Sequence, residues 1–564
     1  MDNLVPHNID VMHTERNFME NVLSTILGIV GKSKDHLNAR RDLKEMGIRK
    51  ALHPTLMASG KERILPAKFT MSKDEKLVCC KVLKNIKLPD GIASNISKCV
   101  HLEERNIWGL KSHDHHILMQ LLLPLAIRKA LLKDIVKVLI ELTNFFRQLC
   151  SKVNHINDLE HIQDRITVIL CHLERIFPSY FFDIMEHLPI HLAEEALLAG
   201  AIQFRWMYPI ERYLCTLKKY VRNRAQPEAS IAKGYLMEEC MNFCTRYLDD
   251  VETKSNRPKR NFDGSNDEGR ATRKGVNITL DRVTWTQCHR YVLMNTDVVQ
   301  PFIDMHMTEL CVKFPRYGYH QLQSVHNDTF HTWFKTHVEE QLNAGNSNFS
   351  EVIKTLAMGP NPRGRSFKAY MINGFHFRTK AFETSRTTQN SGVMLRAKTT
   401  SYASRKDRNP IAGEIIYYGV LKNIIQVHYS NRIKFVMFNC DWVDNQRGKM
   451  EDDFKFTLVN FDHLMYRDNQ MSDEPFIFAS QAEQVFYSND PVEPKWHVVL
   501  KMSRRDNYDV YSSLDQEDSY SSQTLDDNIP IRDEDNAWVR EDVVVDGAID
   551  LGQDEEVAEN DETY

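Results

Sequence analysis

Phe204-Arg-Trp-Met-Tyr-Pro-Ile-Glu-Arg-Tyr-Leu-Cys-Thr-Leu-Lys-Lys-Tyr-Val-Arg-Asn-Arg224 is the stretch around which the chain is organised. It combines aromatics, one acid (Glu211) and the cations Lys218, Lys219, Arg222 and Arg224. Pro209 suits the first turn of a helix, where an N–H would have no partner anyway. A carboxylate in that turn also complements the helix dipole. Glu211 therefore has two readings. It is either a helix-start residue or an acid that helps hold Mg²⁺ beside cations that grip phosphates. One helix supplies one acid, and two-metal phosphoryl transfer needs several, because each hard cation takes oxygen ligands.

Outward from this stretch the pattern divides the chain. Before it, apolar residues recur at helical spacing. Phe18, Val22 and Ile26 do so, as do Leu77, Val82 and Ile86, and then Leu159, Ile162, Ile166, Ile169 and Leu173. Residues 33–70 read as a connection or short helices, and Leu88-Pro-Asp-Gly91 as a turn. Residues 251–280 are rich in Lys, Arg, Asn, Gly and Asp and read as a basic linker. Helical patterns return over 281–358. From 359 to 502 short β-branched and aromatic runs alternate with turn residues, for example Ile424-Ile-Gln-Val-His-Tyr429 and Ile433-Lys-Phe-Val-Met-Phe438. A small antiparallel barrel or strongly bent sheet satisfies them. The fold class expected is α+β and multidomain: an all-α N-terminal region over 1–250, a small antiparallel β domain, and a disordered acidic tail from 503 to 564.

Composition adds an asymmetry. The 564-residue chain has a formal net charge of −5, but from Asp515 to Tyr564 there are 18 acids against two bases, Arg532 and Arg540. The remaining body is positive. That arrangement suits a polyanion-binding surface with a tail able to compete for it, and equally a solubilising tail. The 11 cysteines show no framework spacing, so reduced thiols are expected; Cys79-Cys80 and the Cys240/Cys244 pair read as buried helix cysteines. The most apolar stretch, Ile117 to Val138, is broken by Pro124, Arg128, Lys129 and Lys133, so no membrane span is expected. No small-molecule substrate is evident. Arg257-Pro-Lys-Arg260 is a candidate nuclear-import cluster, with Arg257, Lys259 and Arg260 as its cations.

Three further constellations could carry chemistry. Asp10 and His13 share a helical face, although a capping aspartate before an amphipathic helix explains Asp10 as well. His113, His115 and His116 with Asp114 could hold a divalent metal, but no fourth ligand is fixed. His187 and His191 are four apart with Pro189 between them, which excludes a continuous zinc-protease helix.

The longer strings carry a resemblance. His7-Asn-Ile-Asp-Val-Met-His-Thr-Glu-Arg-Asn17 resembles the end of the transposase domain of plant CACTA (En/Spm-type) elements. Ser112-His-Asp-His-His-Ile-Leu-Met-Gln120, His187-Leu-Pro-Ile-His-Leu-Ala-Glu-Glu195 and Trp206 through Asn223 resemble domain of unknown function 4218. Thr388-Gln-Asn-Ser-Gly392, Phe438-Asn-Cys-Asp-Trp-Val443 and Pro475-Phe-Ile-Phe-Ala-Ser-Gln-Ala482 resemble domain of unknown function 4216. The resemblance implies an RNase-H-like core with a helical insertion, three acids, and Mg²⁺ as cofactor. Asp10 and His13 match the acid-x-x-His motif that often follows the second acid, and Glu211 resembles the third. The boundaries expected are the end of a catalytic domain at 1–32, a 4218-like helical domain at 75–250, the linker at 251–280, a helical intermediate region at 281–358 and a 4216-like domain at 359–502.

The same resemblance places the first two acids ahead of Asp10, so a truncated protein, catalytically inactive alone, is expected. DNA or transposase subunits are the partners implied, and the nucleus the compartment. A domesticated, non-catalytic interaction module using Tyr417, Tyr418 and Trp442 is a second expectation. A His-dependent metal-binding hydrolase is a third.

Overall fold

The computed structural model describes residues 8–92, 95–245, 247, 269–345, 349–401, 411–430, 432–467, 470–502 and 538–540. The import cluster at Arg257, Lys259 and Arg260 lies outside them, as does most of the acidic tail. The chain divides into two compact units. One comprises residues 1–84, 94–235 and 522–564; the other comprises 85–93 and 236–521.

The first unit is mainly helical; the all-α region expected over 1–250 is interrupted by two short antiparallel pairs, held by backbone bonds between two-residue strands. It begins with α1 (Val11–Ile26), whose N-cap Asp10 accepts a hydrogen bond from the Met12 amide. Val11, Phe18, Met19, Val22, Leu23 and Ile26 face inward. A short α2 (Leu37–Glu45) follows, then a hairpin of β1 (Thr55–Leu56) and β2 (Glu62–Arg63). Next come α3 (Lys73–Asn85) and a second two-stranded pair, β3 (Val100–His101) with β4 (Asn106–Ile107). α4 (Ser112–Ile117) leads into a π-helical turn, Leu118–Leu122, and then α5 (Leu123–Ile127). Pro124 has no N–H to give the Gln120 carbonyl, so the ladder widens there. α6 (Lys133–Leu149) and α7 (Ile156–Ile176) pack together. α8 (Ile184–His187) and α9 (Pro189–Ala199) are separate helices, with Pro189 at the start of the second. α10 (Tyr208–Tyr220) begins as its Pro209 requires.

A cluster of phenylalanines sits in the otherwise aliphatic core of this unit. Phe18 meets Phe146 and Phe181 edge-on at 6.1 and 6.2 Å between ring centroids, and Phe177 stacks on Phe181 at 4.3 Å. Three residues of the tail belong here too. The Lys68 amide donates to the Trp538 carbonyl, Val539 bridges Ala67, and Arg540 Nη2 reaches Glu75 Oε1 at 2.9 Å.

α11 (Pro227–Thr245) runs across the division between the units and buries none of its residues. Cys240 and Cys244, expected to be buried, are exposed on it, whereas Cys79 and Cys80 are buried in α3. No described helix is long and apolar enough to cross a membrane.

The second unit sets helices against an antiparallel sheet. β5 (Arg270–Ala271) and β6 (Val276–Thr279) arise inside the stretch read as linker. Then follow α12 (Arg282–Met294), α13 (Gln300–Lys313), α14 (Tyr319–Asn343) and α15 (Glu351–Met358). β7 (Arg363–Phe367), β8 (Ala369–Ile372), β9 (Phe375–Arg378), α16 (Lys380–Glu383), β10 (Gly392–Ser401) and β11 (Ile411–His428) come next. They are followed by β12 (Lys434–Trp442), β13 (Lys449–Glu451), β14 (Thr457–Val459), β15 (Phe476–Phe478), β16 (Glu483–Asn489) and β17 (His497–Lys501).

The main sheet runs β13-β14-β17-β16-β10-β11-β12-β15, with β7 pairing β11 and β6 pairing β7. β11 is the spine: it pairs β10 along its first half and β12 along its second, with a register shift between Leu421 and Asn423. Residues 281–358 do not form a core of their own. Cys288, Val292, Phe330 and Phe334 share one with Ile425, Val427, Met437 and Phe476 of the sheet. This is the mixed helix-and-sheet class expected, with one long bulged strand at the centre of its sheet.

Candidate functional site

Three chemistry-bearing groups meet inside the first unit. Glu15 projects from the buried face of α1, His116 from the last turn of α4, and Cys150 caps α6. One ligand-type atom from each lies within 4.8 Å of the others, the group of three that could hold a metal ion among the described residues. Glu15 is fully buried and His116 nearly so.

The α1 sequence explains how Glu15 arrives there. Val11, Glu15, Phe18 and Val22 fall at i, i+4, i+7 and i+11, so the acid occupies the apolar stripe. A buried carboxylate needs a partner, and Glu15 Oε2 finds His116 Nδ1. Its other oxygen, Oε1, is buried without a partner among the described residues.

The π turn brings Gln120 onto the same spot. Its Nε2 stands 3.4 Å from Glu15 Oε2, from His116 Nδ1 and from the Phe146 carbonyl. Trp206, from the organising stretch, sets its ring edge-on to His116, with centroids 5.6 Å apart and planes at 88°. Burial alone would lower the His116 imidazole, but the Glu15 carboxylate against it holds its pKa above the ordinary value. The Cys150 thiol is pushed well above its ordinary value by burial, with the Glu15 charge adding to it. Cys150 is thus a poor nucleophile, and a cysteine–histidine catalytic reading is not carried.

The other histidines of the cluster separate. His115 is buried, with Nδ1 3.0 Å from the Lys111 carbonyl, and burial lowers its pKa, while His113 is exposed. Asp114 caps α4 by accepting from the Lys111 amide at 3.0 Å. Of the three candidate metal histidines, only His116 joins the Glu15–Cys150 cluster. His187 and His191, across the proline break, approach at 3.2 Å between Nε2 atoms on the surface.

The residues assigned to acid chemistry have other surroundings. The Asp10 side chain accepts from its own helix, and His13 is exposed. Glu211 lies in the first turn of α10 and is exposed, as are the cations after it, Lys218, Lys219, Arg222 and Arg224. The three-group cluster contains none of Asp10, His13 and Glu211.

The chain on either side of these residues is nevertheless joined. Asn8 Nδ2 donates to the Arg205 carbonyl at 3.0 Å, Arg205 Nη1 donates to Asn8 Oδ1 at 2.8 Å, and the Ile9 amide donates to Glu195 Oε2 at 3.3 Å. Three of the quoted strings therefore meet at the start of α1. The aromatics of the organising stretch do not line an approach together: Phe204 is 77% exposed, whereas Trp206 is half-buried on His116.

In the sheet unit, Tyr418 and Trp442 are buried, and Trp442 Nε1 donates to the Pro475 carbonyl at 3.1 Å. They are packing residues, so stacking of bases on them is not carried. The Thr388–Gly392 string is a backbone clamp. Buried Glu383 accepts from the Asn390 amide at 2.7 Å and from the Ser391 hydroxyl, while Asn390 Nδ2 donates to the His376 carbonyl at 2.9 Å.

Comparison with known proteins gives two matches in chain order. Residues 149–262 match the family model described as Domain of unknown function (DUF4218), and residues 425–499 match that described as Domain of unknown function (DUF4216). Glu211 and the cations after it fall inside the first; Glu15 and His116 fall outside both. No curated protein and no solved structure matches the chain significantly.

Proposed function

We propose that this chain is a transposase-like protein related to plant CACTA elements, acting through nucleic-acid or transposase-subunit contacts and not as a nuclease by itself. The observation that carries the reading is the succession of the two family matches on one chain. The His7–Asn17 string adds to it, docked by Asn8 onto Arg205 at the entry to α10 and by Ile9 onto Glu195 of α9. An RNase-H-like ancestry for α1 and a nuclear location belong to the same proposal.

The cations Lys218, Lys219, Arg222 and Arg224 are the phosphate contacts, because water-facing cations can neutralise a backbone and release its counterions. Glu211 beside them would be a remnant acid. Mg²⁺ enters only through the resemblance. Asp10 already serves as a helix cap, so no step is routed through the ion.

Fluorescence anisotropy with duplex DNA tests the reading. Binding should be weak in sequence preference and should fall steeply with salt. Reversing Lys218 and Lys219 to Glu should make the dependence of log K on log salt shallower, by about 0.9 for each phosphate no longer neutralised. No DNA binding at low salt, or nicking by the purified chain with Mg²⁺, would overturn it. Ending the chain after Arg540 removes many tail acids but keeps the Trp538–Arg540 anchor, and affinity should then rise.

A further inference from the structure

We propose that Glu15, His116 and Cys150 form a structural zinc site that fastens α1, α4 and the end of α6 to one another. Three observations point there. The donor atoms lie within 4.8 Å of one another although their residues come from three separate helices. Glu15 is fully buried, yet Oε1 has no partner among the described residues. The fourth side is closed by a polar end, the Gln120 amide, held there by the π turn.

The chemistry selects the ion. A thiolate, an imidazole and a carboxylate are a borderline-soft set that suits Zn²⁺ and not the oxygen-seeking Mg²⁺ or Ca²⁺. With neutral imidazole, the thiolate and carboxylate balance the two charges of the ion, so no net charge is left in the core. Two donors on one tetrahedral zinc stand about 3.3 Å apart. The direct His116–Glu15 contact therefore opens as the ion enters. Gln120 presents its amide to the same place; turning that amide over would offer an oxygen as fourth ligand. Trp206 against His116 restrains the imidazole, as outer contacts commonly do for metal-bound histidine.

Glu15 and His116 are buried and Cys150 is half-buried, which sets this site apart from a catalytic one. A catalytic zinc keeps an open position for water or substrate, whereas a structural zinc is closed by protein. The inference does not depend on the transposase reading and would stand if that reading failed.

The test uses the full chain, incubated with Zn²⁺, desalted and measured by mass spectrometry for metal. About one zinc per chain is expected. The triple variant Glu15→Gln, His116→Gln, Cys150→Ala should lose it, whereas His113→Ala and His187→Ala should retain it. Cobalt substitution supplies a second readout: wild type should show a sulfur-to-cobalt band in the near ultraviolet. Should Cys150→Ala fail to fold, Cys150→Asp keeps a ligand and should retain cobalt without that band. Chelator should lower the melting temperature of wild type and leave that of the triple variant unchanged. A folded wild type without zinc, or zinc retained equally by the folded triple variant, overturns the proposal and leaves a buried ion pair in its place.

Discussion

Trp206 stands edge-on to His116, their ring centroids 5.6 Å apart, and so ties the entry of α10 to the buried face of α4. Edge-to-face pairs add about 1 kcal/mol beyond the area they bury. Because the half-buried indole goes as well, Trp206→Ala should cost about 2 kcal/mol in urea unfolding. Trp206→Phe should recover much of it, because an aromatic edge remains. An alanine variant as stable as wild type would show that the pairing is incidental.

Arg40 is fully buried and is held by Asp35 through two nitrogens, with Nη1 3.2 Å from the Leu52 carbonyl. Removing one partner of a buried pair strands the other charge, at about 3–5 kcal/mol. Arg40→Ala should destabilise by that amount. The double change Arg40→Met, Asp35→Leu should be markedly milder, since neither charge is then left alone. Equal destabilisation in the two variants would contradict this account.

Glu186 gives the first unit a pH dependence. It is 1% exposed and accepts from Asn21 Nδ2 at 2.6 Å, joining α8 to α1. Burial and the neighbouring Asp183 carboxylate raise its pKa from the ordinary carboxylate value to about 7. The folded state therefore prefers the protonated form. Its stabilising contribution is complete below the unfolded pKa of about 4.3 and is lost as pH rises through about 7. Unfolding measured from pH 5 to 8 should show stability falling by on the order of 2 kcal/mol from this group. Glu186→Gln should flatten that part of the profile, and an unchanged profile would refute the assignment.

Gly392 begins β10 where that strand is paired on both sides. A methyl group there would lie 2.3 Å from the Val485 carbonyl oxygen and 3.0 Å from the Tyr487 ring. Backbone cannot yield as a side-chain tip can, so Gly392→Ala should cost about 3 kcal/mol. Hydrogen exchange should report weakened protection in β10 and β16. Glu383→Gln should loosen the adjoining clamp, since it weakens the acceptor shared by Asn390 and Ser391.

Local structure was largely legible from local chemistry. Asp10 announced the start of α1 and Pro209 the start of α10, because caps and N-terminal prolines act within one turn. The β-branched runs announced β11 and β12. β5 and β6 were hidden in a basic stretch. A short edge strand is held by backbone bonds and leaves little trace in its side chains. Cys240 and Cys244 misled for a related reason: helical spacing does not say which faces find a partner.

For the site, the histidine cluster was visible, but only His116 took part. Glu15 carried a signal that could have found it, an acid on the apolar stripe of α1, where a charge must be paired. Cys150 carried none, being one of 11 scattered thiols.

By itself the sequence determined that a mainly helical part precedes a sheet-rich one, the helix starts at Asp10 and Pro209, and the strings shared with two domain families. Each depends on residues close together along the chain. Only the tertiary structure decided that residues 15, 116, 120, 150 and 206 meet, and that Glu211 stands in solvent. Such meetings are fixed by how helices pack their buried faces, and packing joins positions that no spacing along the chain relates.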